Sequence, residues 1–258
     1  MSGVSFEMDG RVVLVTGGSR GIGAATVKLF ARAGARVVFS YVAAKERAEA
    51  LAAECGAVAI RQGLDSIEDG QALVEKAIAV HGRLDCLVVN HGIWPSHDAP
   101  ISTMENAQWR GTMGTNLDSC FGLVKAAVAQ MLSQPAQGST KGHVVLVAST
   151  AAQRGEAFHA DYAASKGAMV SLTKSLSSEL ASKGILCNCV APGWVATEMS
   201  QAAFDDPETS KRVLVAIPLG RPAHVDEIAG PIVFLCTPYA GFCSGEIFNV
   251  NGGAVLVG

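Results

Sequence analysis

The sequence predicts a single α/β domain built on an open parallel sheet. Three observations carry that expectation. Short apolar runs rich in Val, Ile and Leu, the composition of strands buried on both faces, alternate with longer stretches of helical periodicity. The first run opens onto a glycine loop that leads directly into a helix. A chain of 258 residues, 49% of them apolar, can bury one substantial core, and no internal repeat, low-complexity tract or linker divides it, so one domain is expected over residues 1–258.

Composition narrows the partners. The formal net charge is −3 and no Lys/Arg run is present, which argues against nucleic acid or an anionic membrane and favours a small molecule. Seven cysteines, most of them inside apolar strand or helix patterns, read as reduced core residues. Cys187 and Cys189 have no matching His/Cys pair, so no metal site is expected. The start, MSGVSFEMDG, lacks a basic head and an apolar run, and no apolar stretch reaches ~18 residues. The cytoplasm is the expected compartment.

Taken in order, Arg11 to Thr16 is a buried-strand pattern, followed by Gly17, Gly18, Ser19, Arg20, Gly21, Ile22 and Gly23 and then by a helix ending near Ala33 and Gly34. Glycines here permit a tight turn and close approach of phosphates to backbone N–H groups, and the helix N-terminus adds a favourable partial charge. The spacing is Gly-x-x-x-Gly-x-Gly, consistent with a dinucleotide loop or with a turn that binds nothing. Arg36 to Ser40 is the second strand. Its end carries Ser40 and Tyr41 where an acid is expected for NAD, and Arg20 in the glycine loop can meet a 2′-phosphate, so NADP(H) is favoured over NAD(H).

Lys45 to Cys55 reads as a helix and Ala57 to Gln62 as the third strand. Leu64, Asp65 and Ser66 lead into the next helix; Asp65 or Ser66 can cap it, and Asp65 can equally bond an adenine amino group. Asp85 to Val89 is the fourth strand, ending in Asn90, His91 and Gly92 at the ligand-facing rim, with His91 read as a structural rim residue rather than a base. Ser102 to Glu105 has the form of a capping box, opening a helix towards Leu132 through Gly111, Gly114 and Asn116. Glycine and asparagine inside that helix point to a kink or bulge at Asn116, which would let it hold a water, or simply to close helix packing.

After a polar loop, His143 to Ala148 forms a strand ending at Ser149 and Thr150. A small-residue loop follows, and near Asp161 a long helix begins with Tyr162 and Lys166 in its first turns. At i and i+4 these two project from one face. Tyrosine, with a pKa of ~10, is a poor base near neutrality, and lowering it by about 2 to 3 units takes roughly 3 to 4 kcal/mol. One lysine charge at about 4 Å, at an effective dielectric of about 20, supplies on the order of 4 kcal/mol. Ser149 is then placed to hold a substrate oxygen while Tyr162 gives or takes the proton.

Ile185 to Val190 is a further strand, running into Ala191, Pro192, Gly193, Trp194, Val195, Ala196 and Thr197, a turn suited to presenting backbone groups to a nicotinamide, with Thr197 available to its carboxamide or to the pyrophosphate. Residues at about 194–220, polar and broken by Pro207 and Pro218, form a candidate substrate lid. His224 to Cys236 is a helix and Glu246 to Val250 a last strand. Trp94, His159, Trp194 and Met199 are the expected pocket wall.

Thr16-Gly17-x-x-x-Gly21-Ile22-Gly23, Asn90-x-Gly92, Asn116, Ser149 with Tyr162-x-x-x-Lys166, and Pro192-Gly193-x-x-x-Thr197 stand in one order along essentially the whole chain. Together they resemble the short-chain dehydrogenase/reductase family, with VTGGSRGIG, YAASKGA and VAPGWVATEM most similar to the 3-oxoacyl-[acyl-carrier-protein] reductase type. The resemblance implies a Rossmann-like, doubly wound parallel sheet of about seven strands with helices on both faces, hydride transfer between NADP(H) and a ketone or secondary alcohol, and a homotetramer. By position it implies Tyr162 as acid/base, Lys166 as the residue that lowers its pKa and holds the nicotinamide ribose, Ser149 as the carbonyl-orienting hydroxyl and Asn116 as anchor of a relay water. The cofactor would then meet Gly17, Ser19, Arg20, Gly21, Ile22, Gly23, Ser40, Asp65, Ser66, Asn90, Gly92, Pro192, Gly193, Val195 and Thr197.

The sequence departs from the family pattern at His91, within the usual Asn-Asn-Ala-Gly, at Ser66, where an aliphatic residue is usual beside adenine, and at Ser178, near which the carrier-protein reductases often have an arginine. An acyl carrier protein is therefore one candidate partner beside a free small-molecule ketone, sugar or cyclic ketone. A nucleotide-sensing module without turnover is the remaining alternative.

Overall fold

Each apolar run forms a strand: β1 (Val12–Val15), β2 (Arg36–Tyr41), β3 (Val58–Arg61), β4 (Cys86–Val89), β5 (Gly142–Val147), β6 (Ile185–Pro192) and β7 (Ile247–Val250). The structure, a computed structural model, describes residues 6–257. The strands pair in parallel in the order β3-β2-β1-β4-β5-β6-β7. The direction of winding reverses between β1 and β4, and that reversal opens a crevice at the C-terminal ends of the strands.

Parallel strands need crossovers, and the helical stretches supply them. These are α1 (Gly21–Arg32), α2 (Lys45–Cys55), α3 (Ile67–His81), α4 (Asn106–Met113), α5 (Ser119–Ser133), α6 (Ala151–Arg154), α7 (Ala160–Leu180), α8 (Gln201–Asp205), α9 (Pro207–Val215) and α10 (Val225–Phe234). Strand alternation divides the core into two layers. Leu14, Leu87 and Leu146 point to one face, against Leu73 of α3, Leu123 of α5 and Met169 of α7. Val13, Val88 and Val145 point to the other, against Phe30 of α1, Leu51 of α2 and Ile232 of α10. Leu14 and Leu87 are fully buried, and truncating either to alanine costs about 2–5 kcal/mol. This rigid double layer fixes the rim where the strands end.

Two local expectations change. The Ser102 to Glu105 capping box does not form: the Thr103 N–H donates to the Pro100 carbonyl at 2.9 Å, closing a turn, and α4 starts at Asn106 with Glu105 as an N-cap that makes no side-chain cap bond. The stretch after Thr150, read as a loop, begins with the short helix α6. Residues 198–220 hold α8 and α9, the latter started by Asp206, whose carboxylate accepts from the Thr209 N–H, and by Pro207. The bulge expected near Asn116 is present as a π-helical turn over Gly114–Asp118 between α4 and α5. Among the described residues no helix is long and apolar enough to cross a membrane.

Candidate active site

A cavity of about 620 Å³ runs along the strand ends, from the loop after β1 to the start of α8. At one end lies the glycine loop. Gly17 adopts φ +65°, and the Cβ of any residue at position 23 would fall 2.2 Å from the Gly17 carbonyl oxygen. The loop is braced from outside: the Gly17 N–H donates to Ser40 Oγ at 3.2 Å, and Asn90 Nδ2 donates to the carbonyls of Thr16 and Gly17 at 3.0 and 3.3 Å. No side chain caps α1, so its first backbone N–H groups are left for a ligand at the cavity's edge.

At the other end α7 rises beside β5. Tyr162, Lys166 and Ser149 line one wall together. The Lys166 ammonium is buried and donates to the Val147 carbonyl at 2.8 Å, and its nitrogen stands 5.9 Å from the centre of the Tyr162 ring. Ser149 Oγ accepts from the Ala151 N–H at 3.1 Å and stands beside the Tyr162 phenol on the same wall. Burial pushes the phenol up to about 12, against the downward pull of Ser149 and with the Glu156 charge adding to the rise. Burial brings the Lys166 ammonium down to about 8.

Asn116 lies beneath this wall, 1% exposed. Its Oδ1 accepts from the Ile93 N–H at 2.8 Å, and its Nδ2 donates to the Ile93 carbonyl and to Ser165 Oγ, both at 3.0 Å. A Cβ at Gly92 would lie 3.1 Å from Asn116 Oδ1 and 3.3 Å from Lys166 Nζ, so these three residues pack together at this wall. His91 Nδ1 pairs with Thr16 Oγ1 at 2.8 Å and Nε2 with Ser119 Oγ at 2.8 Å. Burial, with Lys166 nearby, drives its pKa down to about 3. A neutral ring with both nitrogens engaged is a brace, as the sequence suggested.

The comparisons decide the family. A family model described as Enoyl-(Acyl carrier protein) reductase matches residues 17–255. The chain is 34% identical to the 3-oxoacyl-[acyl-carrier-protein] reductase FabG of Escherichia coli over 98% of this chain and 100% of that one. The chain belongs to the short-chain dehydrogenase/reductase family. It is also 37% identical to the L-rhamnose 1-dehydrogenase (NAD(P)(+)) of Azotobacter vinelandii, over 94% of this chain and 96% of that one. A short-chain dehydrogenase/reductase from Brucella melitensis, SDR:Glucose/ribitol dehydrogenase, superposes with a TM-score of 0.88 at 34% identity, covering 98% of this chain and 100% of that one. A blue fluorescent protein from a metagenomic library, solved in complex with NADPH, superposes with a TM-score of 0.88 at 34% identity, covering 97% and 100%.

This short-chain dehydrogenase/reductase is an oxidoreductase, and its cavity brings together most of the residues singled out from the sequence. Gly17, Ser19, Arg20, Gly21, Ile22, Ser40, Asp65, Asn90, Gly92, Pro192, Gly193, Val195 and Thr197 line it with Ser149, Tyr162 and Lys166. Thr197 reaches the start of α1, its Cγ2 3.4 Å from where a Cβ at Gly21 would stand. The glycine loop and the open N-terminus of α1 fit the pyrophosphate of a nicotinamide dinucleotide. Gly23 packs against the loop instead of lining the cavity.

Four assignments are corrected. Ser66 does not line the cavity; its Oγ caps α3 by accepting from the Asp69 N–H at 3.1 Å. His159 lies behind the wall, stacked on Trp94 with centroids 4.8 Å apart, while Trp94, Trp194 and Met199 line it as expected. The Asn116 side chain is occupied by Ile93 and Ser165, which removes the side chain, but not the backbone carbonyl within the π-turn, as the group that holds a water. Tyr162 is shifted up, not down, because burial outweighs its neighbours and the Lys166 ammonium is turned towards the Val147 carbonyl. Sequence reading also missed Glu198, which accepts from Arg20 at 3.0 Å and pairs with Arg47, and Glu156, which accepts from Trp94 Nε1 at 3.2 Å. Neither contact joins residues close in the chain.

Proposed function

We propose that this protein is an NADP(H)-dependent carbonyl reductase and secondary-alcohol dehydrogenase in which Tyr162 is the proton donor and acceptor. The observation that carries the reading is the meeting of Ser149, Tyr162 and Lys166 on one wall of a cavity whose far end is the glycine loop. The nicotinamide, when bound, supplies or receives the hydride. Tyr162, neutral through the physiological range because its pKa stands near 12, is in the form that donates a proton to a ketone oxygen. Ser149 donates the second hydrogen bond to that oxygen and aligns it with the phenol. Lys166, held by Val147, presents a buried positive charge that favours an oxyanion and any hydroxyl placed against it. Asn116 positions the wall by fixing the Ile93 backbone.

NADP(H) is the preferred cofactor in this reading, supported by Arg20 and Arg47 converging near an acid-free end of β2. The segment at about 194–220, carrying α8 and α9, serves as the substrate lid. Exposed apolar side chains on α4 and α5 (Trp109, Phe121) and near the C-terminus (Phe242, Leu256) support a homotetramer. Seven unpaired cysteines support a reducing compartment, the cytoplasm. Relatives named as carrier-protein reductases make a 3-oxoacyl thioester on an acyl carrier protein one substrate to test, and the rhamnose dehydrogenase makes a sugar another. The test is a panel of ketones followed by NADPH absorbance. Turnover with NADPH exceeding that with NADH supports the reading; tight NADPH binding with no turnover of any carbonyl overturns it in favour of a nucleotide sensor.

A further inference from the structure

The part of the cavity beyond Tyr162 is walled by two indoles and a carboxylate. Trp94, Glu156, Arg154 and Trp194 all line it. Glu156, on the loop between α6 and α7, is held by the indole N–H of Trp94 at 3.2 Å. Trp94 is clamped in turn by His159, stacked at 4.8 Å with an interplanar angle of 18°. Trp194 meets Trp94 edge-on at 6.3 Å and is itself supported by Phe204 of α8 at 5.8 Å. This carboxylate is therefore part of a braced wall and not a free surface acid.

The wall's chemistry selects among carbonyl compounds. Among the described residues the Trp94 bond is the only hydrogen bond to the Glu156 carboxylate and no cation pairs with it, so most of its acceptor capacity is left for a ligand. An acyl chain laid here would strip water from that carboxylate and return nothing to it. Hydroxyl groups would return hydrogen bonds. Arg154 provides donors on the same wall, complementary to hydroxyl oxygens, and the indoles offer flat apolar surface to the C–H face of a carbon chain or ring.

We propose that the substrate is polyhydroxylated, a hydroxyketone or its polyol, with Glu156 and Arg154 gripping its hydroxyls between Trp94 and Trp194. This rests on the carbonyl-reductase reading above. A site built to hydrogen-bond hydroxyls discriminates strongly against analogues that lack them, because its polar groups are then left unpaired.

The test compares D-ribulose and D-fructose with acetoacetyl-CoA and cyclohexanone, all reduced with NADPH, in the wild type and in Glu156→Gln. The amide keeps an acceptor for Trp94 and removes the charge. The expected wild-type result is a kcat/KM for the better ketose at least about tenfold above that for acetoacetyl-CoA. In Glu156→Gln the ketose value falls about tenfold, mainly through KM, and the thioester value rises. The alkaline limb of the rate profile also moves to lower pH, since Glu156 is one of the charges raising Tyr162. A wild type that prefers the thioester or cyclohexanone, or a variant with unchanged ketose KM, overturns this proposal alone. A wild type that reduces none of the four but turns over another ketone of the panel overturns this proposal alone, and one that reduces no carbonyl at all overturns the carbonyl-reductase reading and this one with it.

Discussion

The Lys166 ammonium donates to the backbone carbonyl of Val147 at 2.8 Å and stands 5.9 Å from the centre of the Tyr162 ring, so the lysine on the helix is tied directly to the last residue of β5, two positions before Ser149. The cation is fixed by β5 before any ligand arrives. Holding it there costs folding free energy, because burial lowers the Lys166 pKa from its ordinary 10.5 to about 8.

That cost has a sign and a pH window. A folded-state pKa below the unfolded value means that the unfolded chain binds more protons between pH 8 and 10.5, so stability from this group rises with pH across that window and the full penalty applies below it. Lys166→Met removes the penalty. The variant is expected to lose turnover while its Tm at pH 7 rises by about 2–4 °C, with the gain shrinking as the pH is raised towards 10. Calorimetry at pH 7 and pH 10 checks both the direction and the convergence.

Glu198 accepts from Arg20 at 3.0 Å and also pairs with Arg47, so one carboxylate occupies both guanidiniums. Arg20→Ala is expected to weaken NADPH by about tenfold or more and NADH much less, since a charge-assisted bond contributes roughly 1.5–3 kcal/mol. Glu198→Gln removes a competitor for both arginines and is expected to tighten NADPH a few-fold. Fluorescence titration of the wild type and both variants with both nucleotides measures the six constants; equal losses for NADPH and NADH in Arg20→Ala would remove the phosphate role.

Gly23→Ala places a methyl 2.2 Å from the Gly17 carbonyl oxygen, which is backbone, and 2.7 Å from Asn90 Nδ2, a side-chain end held by its bonds to the Thr16 and Gly17 carbonyls. The loop must shift at a cost of about 1–3 kcal/mol or more. The expected outcome is a fall in Tm of several degrees together with loss of NADPH binding, read by thermal melts with and without cofactor.

Asn116→Ala removes the acceptor for the Ile93 N–H and the donor for its carbonyl. Leaving these part-buried groups unpaired costs on the order of 1 kcal/mol, the lower end for such groups. The loss of kcat is expected to exceed the loss of NADPH affinity, because the residue underlies the Tyr162 wall and not the glycine loop. Steady-state kinetics beside a binding titration separates the two.

The features that were legible in the sequence are those written locally. The β-branched runs, the glycine spacing and the i, i+4 placement of Tyr162 and Lys166 each depend on residues near one another, and the π-turn at Asn116 was signalled by Gly114 inside a helical pattern. What was not legible depends on contacts distant in the chain. Glu198 meets Arg20 across 178 positions, and Trp94 meets Glu156 across 62. The direction of the Tyr162 shift was misjudged for a related reason: a helical spacing gives the lysine's proximity, but burial of the phenol and the pull of the Val147 carbonyl on Nζ arise only when β5 packs against α7. The Ser102 box failed because Pro100 offered Thr103 a competing turn.

The most direct measurement is single-substrate turnover of Tyr162→Phe, followed by NADPH absorbance on whichever ketone the wild type reduces best. Removal of one hydroxyl is expected to lower kcat by about 10²–10⁴-fold while the NADPH dissociation constant stays within about tenfold. A Phe variant that keeps most of the wild-type kcat would contradict the assignment of Tyr162 as the proton carrier.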